Sequence, residues 1–330
     1  MEYRVSDRAN HKTGKVVTVI ADCVPDKKNN EKLPEKQMKG LILNNAYYET
    51  PSTRYQGERL AAELEKLGVL TDIKKNDFFG AKVEDGKLKN AIAEYDFCIY
   101  LDKDKYVSYA LEKCGLRLFN LHSAIQACDD KATTFLYLAD CGIPMPKTLP
   151  GLLCYDPSAH VSANTCEVLE RELGFPMVAK HCFGSLGKFV YKIDDRAQLE
   201  RMCEELKCTP HLFQKYIAES AGRDIRVIVI GGKAVAAMHR QSKTDFRSNI
   251  ELGGVGTPIE IDRKLKTLCE KVSLLLKLDY CGIDILYGKE GYLLCEVNSN
   301  AFFGGIERVT RINVARYYAE HIVENLKKRG

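Results

Sequence analysis

The chain has 330 residues, 45% hydrophobic and 28% charged, a balance suited to a folded protein of about two or three domains. A net charge of only +4, with acids and bases interspersed, excludes a dedicated nucleic-acid-binding surface. Thirteen cysteines, an odd number with no CxxC pair, read as reduced thiols of a cytoplasmic protein, and no apolar run is long enough to span a bilayer.

Residues 1–38 are rich in lysine, asparagine and acids around VVTVIA, which is too short for a secretory core; PDKKNNEKLPEKQ reads as a linker, and Met38 is a candidate natural start. From 39 to 120 strands and helices alternate. GLILNNA is a strand, GERLAAELEKLG a helix, VLTDIKK and YDFCIYLD strands, YVSYALEKCG a helix and LRLFN a strand, with Gly68 and Gly115 just past the helix ends. That alternation predicts a small α/β domain on a parallel sheet.

A second segment, 121–210, opens with a helix through Ala132–Leu138, stopped by Gly142 and Pro144. It continues with strands at FPMVAKHC and KFVYKI and a helix at RAQLERMCEELK. The last segment, 211–330, carries HLFQKYIA, then DIRVIVIGG and KAVAAMHRQS as a hairpin about Gly231-Gly232. An amphipathic helix RKLKTLCEKVSLLLKL, the hairpin GIDILYGKEGYLLCEVN and a closing helix NVARYYAEHIVENLKK follow.

The chemistry sits in that last hairpin. With its turn centred near Glu290, Asp284 faces Glu296, and Asn298 shares the face of Glu296. Two carboxylates so close in an apolar setting call for a cation, and an all-oxygen set suits Mg²⁺ or Mn²⁺. Magnesium on few carboxylates implies phosphates in its shell. FGSLGKF, with Gly184, Ser185 and Gly187, is a small-residue loop whose amides can cover a triphosphate. It is not a Walker A loop, since Cys182 and Phe189 stand where glycine and Ser or Thr are needed. Lys131 and Lys180 would add positive charge, and Gln214, Lys215, Tyr216 and Ile217 would present main-chain groups to adenine, with Glu219 on the ribose. Arg226, Arg240 and Arg247, with Asn249, suit an anionic substrate. In the loop NNAYYETPSTRYQGERL, Arg54 and Tyr55 are further candidates to face substrate.

The order DK, GIPMPKT, MVAKHCFGSLGK, FQKYIAESAGRDIRVIVIGG, HRQSKTDFRSNIELGG, GIDIL and CEVNSN resembles the ATP-grasp superfamily, and more closely its RimK-type carboxylate–amine ligases. The resemblance covers 120–330 and, more loosely, 39–120. It implies an ATP-grasp α/β (α+β) fold with an N-terminal Rossmann-like domain. It further implies ATP on Lys131, Lys180, the glycine loop, Gln214–Ile217 and Glu219. Mg²⁺ (or Mn²⁺) falls to Asp284, Glu296 and Asn298, and Arg226, Arg240 and Asn249 face the transferred group. The expected activity is amide formation through an acyl phosphate, joining a carboxylate substrate to an amine or peptide, with glutamate added to a peptide, protein tail or cofactor. Peptide cyclases, dipeptide or thiol ligases and non-catalytic ATP-binding regulators are the alternatives. No membrane or nucleic-acid partner is expected; a homo-oligomer is. Lys215, HCF after Lys180 and AFFGGIER after EVNSN depart from the family pattern.

Overall fold

The computed structural model describes residues 37–185, 187–248 and 253–328. The extension and linker expected before residue 37 lie outside the described residues.

The chain is first laid down as Lys39–Asn44 (β1), Pro51–Lys66 (α1), Leu70–Lys75 (β2), Ala81–Glu84 (β3), Lys87–Asn90 (β4), Phe97–Leu101 (β5), Lys105–Lys113 (α2) and Arg117–Phe119 (β6). Strands β2-β1-β5-β6 form a parallel sheet in that order. Leu41, Ile42 and Leu43 are buried in succession, as are Phe97 to Tyr100, because both faces of the sheet are covered. The chain leaves β1 toward β2 and returns to the opposite side for β5, so strand order reverses between β1 and β5. A crevice opens there at the carboxyl ends of the two strands.

Helix α1 begins at Pro51, earlier than the sequence predicts. Thr50 accepts from the Thr53 amide while Thr53 accepts from the Thr50 amide, and Pro51 occupies a position whose N–H would be unused. The hairpin of β3 and β4 was also missed, having too little apolar alternation to stand out.

His122–Asp129 (α3) and Lys131–Leu138 (α4) lead to Thr148–Pro150 (β7), Ala163–Leu173 (α5), Met177–His181 (β8), Val190–Ile193 (β9), Arg196–Leu206 (α6) and His211–Lys215 (β10). These strands make the antiparallel sheet β7-β10-β8-β9, on which α5 and α6 pack through Cys166, Leu169, Leu173, Leu199 and Cys203.

Arg223–Ile230 (β11), Lys233–Gln241 (β12), Val255–Pro258 (β13), Arg263–Leu275 (α7), Tyr280–Gly288 (β14), Gly291–Asn298 (β15), Gly304–Thr310 (α8) and Val314–Lys327 (α9) complete the chain. The third sheet is antiparallel, β13-β12-β11-β14-β15. Gly231 and Gly232 turn the β11–β12 hairpin with φ of 55° and 74°, values that suit glycine. Helix α7 covers one face of the sheet through Leu265, Cys269 and Val272. On the other face Tyr280 and Ile228 share a core with α9, α1 and the first sheet through Tyr318, Leu60 and Ile42. That shared core fixes the first sheet against the last, so the crevice at β1 and β5 faces the β14–β15 hairpin. No helix among the described residues is long and apolar enough to cross a membrane.

Candidate active site

The β14–β15 hairpin sets Asp284 opposite Glu296 and Gly282 opposite Asn298. Its turn is only Lys289 and Glu290, which by simple counting would place Cys295 against Asp284. A bulge corrects this: pairing shifts after Ile285, leaving Cys295 as the extra residue. The pair expected from a turn centred on Glu290 is therefore present, produced by a shorter turn and a bulge.

Lys131 opens α4, where Asp130 caps the Thr133 amide. Its own amide donates to the Cys182 carbonyl at 3.0 Å, and its Nζ donates to the Gly184 carbonyl at 3.0 Å. The same Nζ lies 3.3 Å from Glu296 Oε1. Lys180, buried on β8, donates to Gln214 Oε1 at 2.8 Å and approaches Cys295 Sγ at 3.9 Å. Gln214 in turn donates to Thr148 Oγ1 at 2.8 Å. Lys180, Glu296 and Asp284 line one cleft of about 750 Å³, together with Gly187, Gln214, Lys215, Tyr216 and Ile217. Glu219 lies on the single turn Ala218–Ser220; Ser220, not Glu219, reaches the cleft wall.

Gly184 and Gly187 have φ of 130° and 69°, so the loop between β8 and β9 needs its glycines. Arg247 donates to the Gly187 carbonyl at 2.6 Å while its guanidinium is held by Asp245, which ties this loop to the segment after β12. Arg247 is thus a clamp on the loop. Leu186 and Asn249 lie outside the described residues.

Arg226 on β11 and Arg240 on β12 both turn to Asp284. Arg226 donates through Nε and, at 2.8 Å, through Nη2; Arg240 Nη2 is 3.0 Å from Asp284 Oδ2. Arg240 also holds Asp224 through Nε at 2.7 Å and Nη2 at 2.5 Å. Burial alone would push the Asp284 carboxyl up, but Arg226 and Arg240 outweigh it and hold it below the usual aspartate range. Burial disfavours charge on both guanidiniums too, yet the neighbouring carboxylates keep them more firmly protonated than usual. The arginines expected to meet an external anion are thus first occupied by an internal one. Asp224 was missed in the sequence, although its two-residue spacing from Arg226 puts both side chains on one face of the strand.

A second cleft, of about 990 Å³, lies on the other side of Glu296. Glu296, Asn298, Ser185 and Arg226 form one wall, and Asn45 and Asp102, at the carboxyl ends of β1 and β5, form the other. A third, of about 900 Å³, is lined by Arg226, Arg240, Arg308 and Tyr55. Tyr55 donates to Glu307 at 2.7 Å, whereas Arg54 pairs with Glu49 at the surface.

A model of the RimK-like ATP-grasp domain matches residues 128–322, more than half of the chain. The chain belongs to the RimK-like ATP-grasp family. Among curated members, human N-acetylaspartylglutamate synthase A is 37% identical, the match covering 69% of this chain and 58% of that protein. The chain therefore spans little more than half of that relative. The Glutamate--LysW ligase ArgX of Sulfurisphaera tokodaii is 31% identical over 83% of this chain and 96% of its own. Among solved structures, a RimK domain ATP-grasp protein from Sphaerobacter thermophilus superposes with a TM-score of 0.64 at 16% identity, covering 86% of this chain and 98% of that one. At that identity the likeness is one of fold, and the expected ATP-grasp α/β architecture is present.

The donor set fits a hard divalent cation. Asn298 has a buried Nδ2 with no partner; the amide turned over would present its oxygen there instead. Glu296 offers a half-buried carboxylate, and Asp284 Oδ1, which accepts only from Arg226, keeps a lone pair. Among the described residues no group of three or more His, Cys, Asp or Glu could hold a metal, so the ligands would be two carboxylates and an amide.

Proposed function

We propose that the protein is an ATP-dependent carboxylate–amine ligase that joins glutamate, through its amine, to a second acid. The observation that carries this is the position of Glu296 at the junction of two clefts, with the Lys131 ammonium 3.3 Å away. One cleft is lined by Lys180 and by Gln214 to Ile217, with Tyr216 and Ile217 lying just past the end of β10. The other is lined by the polar side chains of Asn45, Asp102, Arg226 and Asn298. Glutamate is supported by the names of both curated relatives.

Lys131 and Lys180 neutralise phosphate oxygens, the Gly184–Gly187 loop covers them and Gln214 to Ile217 meet adenine, while Glu219, outside the cleft wall, is left without a part in holding ribose. Asp284, Glu296 and Asn298 hold Mg²⁺ or Mn²⁺, which when bound neutralises phosphate charge. The acid's carboxylate attacks the γ-phosphorus of ATP, the β–γ bridging bond breaks and ADP leaves. The amine nitrogen then attacks the acyl carbon; phosphate departs with the bonding electrons, and the former ammonium has lost two protons. Arg226, Arg240 and Asn249 face the transferred group; for the arginines this means one of the remaining N–H donors. Every described cysteine is an unpaired thiol, which supports a cytoplasmic location.

The test is incubation with ATP, Mg²⁺, glutamate and a pool of N-acetylaspartate, citrate and short peptides, followed by mass spectrometry. ADP with a product of mass acid plus glutamate minus water is the expected result. ATP binding with no amide from any member of the pool would overturn the ligase reading.

A further inference from the structure

We propose that Asp102 anchors the ammonium group of the amine substrate, a role that rests on the ligase reading above. Asp102 follows β5 at the crevice where strand order reverses, where the ends of parallel strands leave room for a ligand. Both its oxygens accept only neutral donors: Asn45 Nδ2 at 3.2 and 3.1 Å, Asn76 Nδ2 at 2.8 Å and the Lys103 amide at 2.7 Å. The adjacent Lys103 ammonium is directed elsewhere, to Asp129 at 3.1 Å. Among the described residues Asp102 has no ion-pair partner. Burial raises its carboxyl above the usual range, and hydrogen bonds from Lys103 and Asn45 offset this only in part. A half-buried carboxylate so placed gains from a cation that brings its own N–H donors.

The cleft decides what kind of cation. Asp102 shares it with Arg226 on the opposite wall, and with Glu296 at the opening toward the nucleotide-type cleft. A zwitterion spans those charges, with its ammonium on Asp102 and a carboxylate toward Arg226. The nitrogen is thereby held in the cleft that Glu296 borders, where the acyl group is formed. The Asn45 and Asn76 amides fix the carboxylate's orientation so that it need not be reorganised when the amine arrives.

The experiment is calorimetric titration of glutamate and of glutarate, the same five-carbon diacid without the amine, into the full chain saturated with ADP and Mg²⁺. The wild type should bind glutamate at least tenfold more tightly than glutarate. In Asp102→Asn the two should fall within twofold of each other, with glutarate affinity little changed. A preference that survives in Asp102→Asn, or an equal loss of both ligands, would overturn the assignment; the latter would make Asp102 an organiser of the loop only. If Asp102→Asn does not fold, the wild-type comparison decides: no preference for the ammonium, or no binding of either, overturns it. Amide formation measured in parallel separates the two proposals. Product with an unchanged preference in Asp102→Asn sinks this one alone, and a lost preference without product from the wild type sinks the ligase reading alone.

Discussion

Replacing Arg240 by Met tests whether the buried charges beneath the site behave as the geometry requires. Arg240 is 2% exposed and is the ion-pair partner of Asp224, while Asp284 keeps Arg226. The substitution preserves a long unbranched stem and strands one carboxylate. That carboxylate can escape by taking a proton. From an ordinary aspartate value of about 3.9, neutralising it at pH 7 costs about 4 kcal/mol, and at pH 5 about 1.5 kcal/mol. The first figure falls in the range of roughly 3–5 kcal/mol found when one partner of a buried pair is removed. Urea unfolding of wild type and Arg240→Met at both pH values should show the penalty shrinking by more than half on acidification. Adding Asp224→Asn to the variant should recover most of the loss at pH 7. A penalty below about 1 kcal/mol at pH 7, or one that does not change with pH, would refute the reasoning.

Glu296→Ala should abolish ATP turnover while Cys182→Ala keeps most of it, because Cys182 is a buried thiol that burial pushes up to about 11; phosphate release reads both, and full activity in Glu296→Ala would remove the metal assignment. Gly282→Ala would place a methyl 2.5 Å from Ala301 Cβ and 3.2 Å from Arg226 Cδ, so we expect a loss of about 1–3 kcal/mol in urea unfolding and weakened activity. Glu63 gives an acid limb to stability. Burial would raise its carboxyl, but Asn313, Lys66 and Arg59 outweigh this and bring it to about 2 from 4.5. A depressed carboxyl contributes stability above the unfolded value, lost as pH falls from about 4.5 toward 2. The Tm of Glu63→Gln between pH 5 and 2 should fall less steeply than that of wild type, and parallel curves would contradict this.

Several features were legible in the sequence because their signals are local. β1 and β5 announced themselves as apolar runs, α7 and α9 by helical spacing, and the β11–β12 turn by two adjacent glycines. Helix α5 was missed although Cys166, Leu169 and Leu173 repeat at helical intervals after the capping Ser162. Four strands of three or four residues, β3, β4, β7 and β13, also went unnoticed, since elements so short carry no readable period. At the site, the oxygen-bearing residues of the last hairpin and the two lysines were all singled out, because charge in an apolar strand is conspicuous. Which of them pair with one another was not. Arg226 and Asp284 are 58 residues apart, and nothing in either neighbourhood specifies the other.

The sequence by itself determined the longer elements, the family resemblance and a set of candidate site residues, since each of these is written within a window of a few residues. Tertiary structure decided the bulge at Cys295, the capture of Arg226 and Arg240 by Asp224 and Asp284, and the placing of Asp102 across a cleft from Glu296. Those depend on sheet register and on the core shared by α1, α9 and the last sheet, which form only when distant segments exclude water from one another.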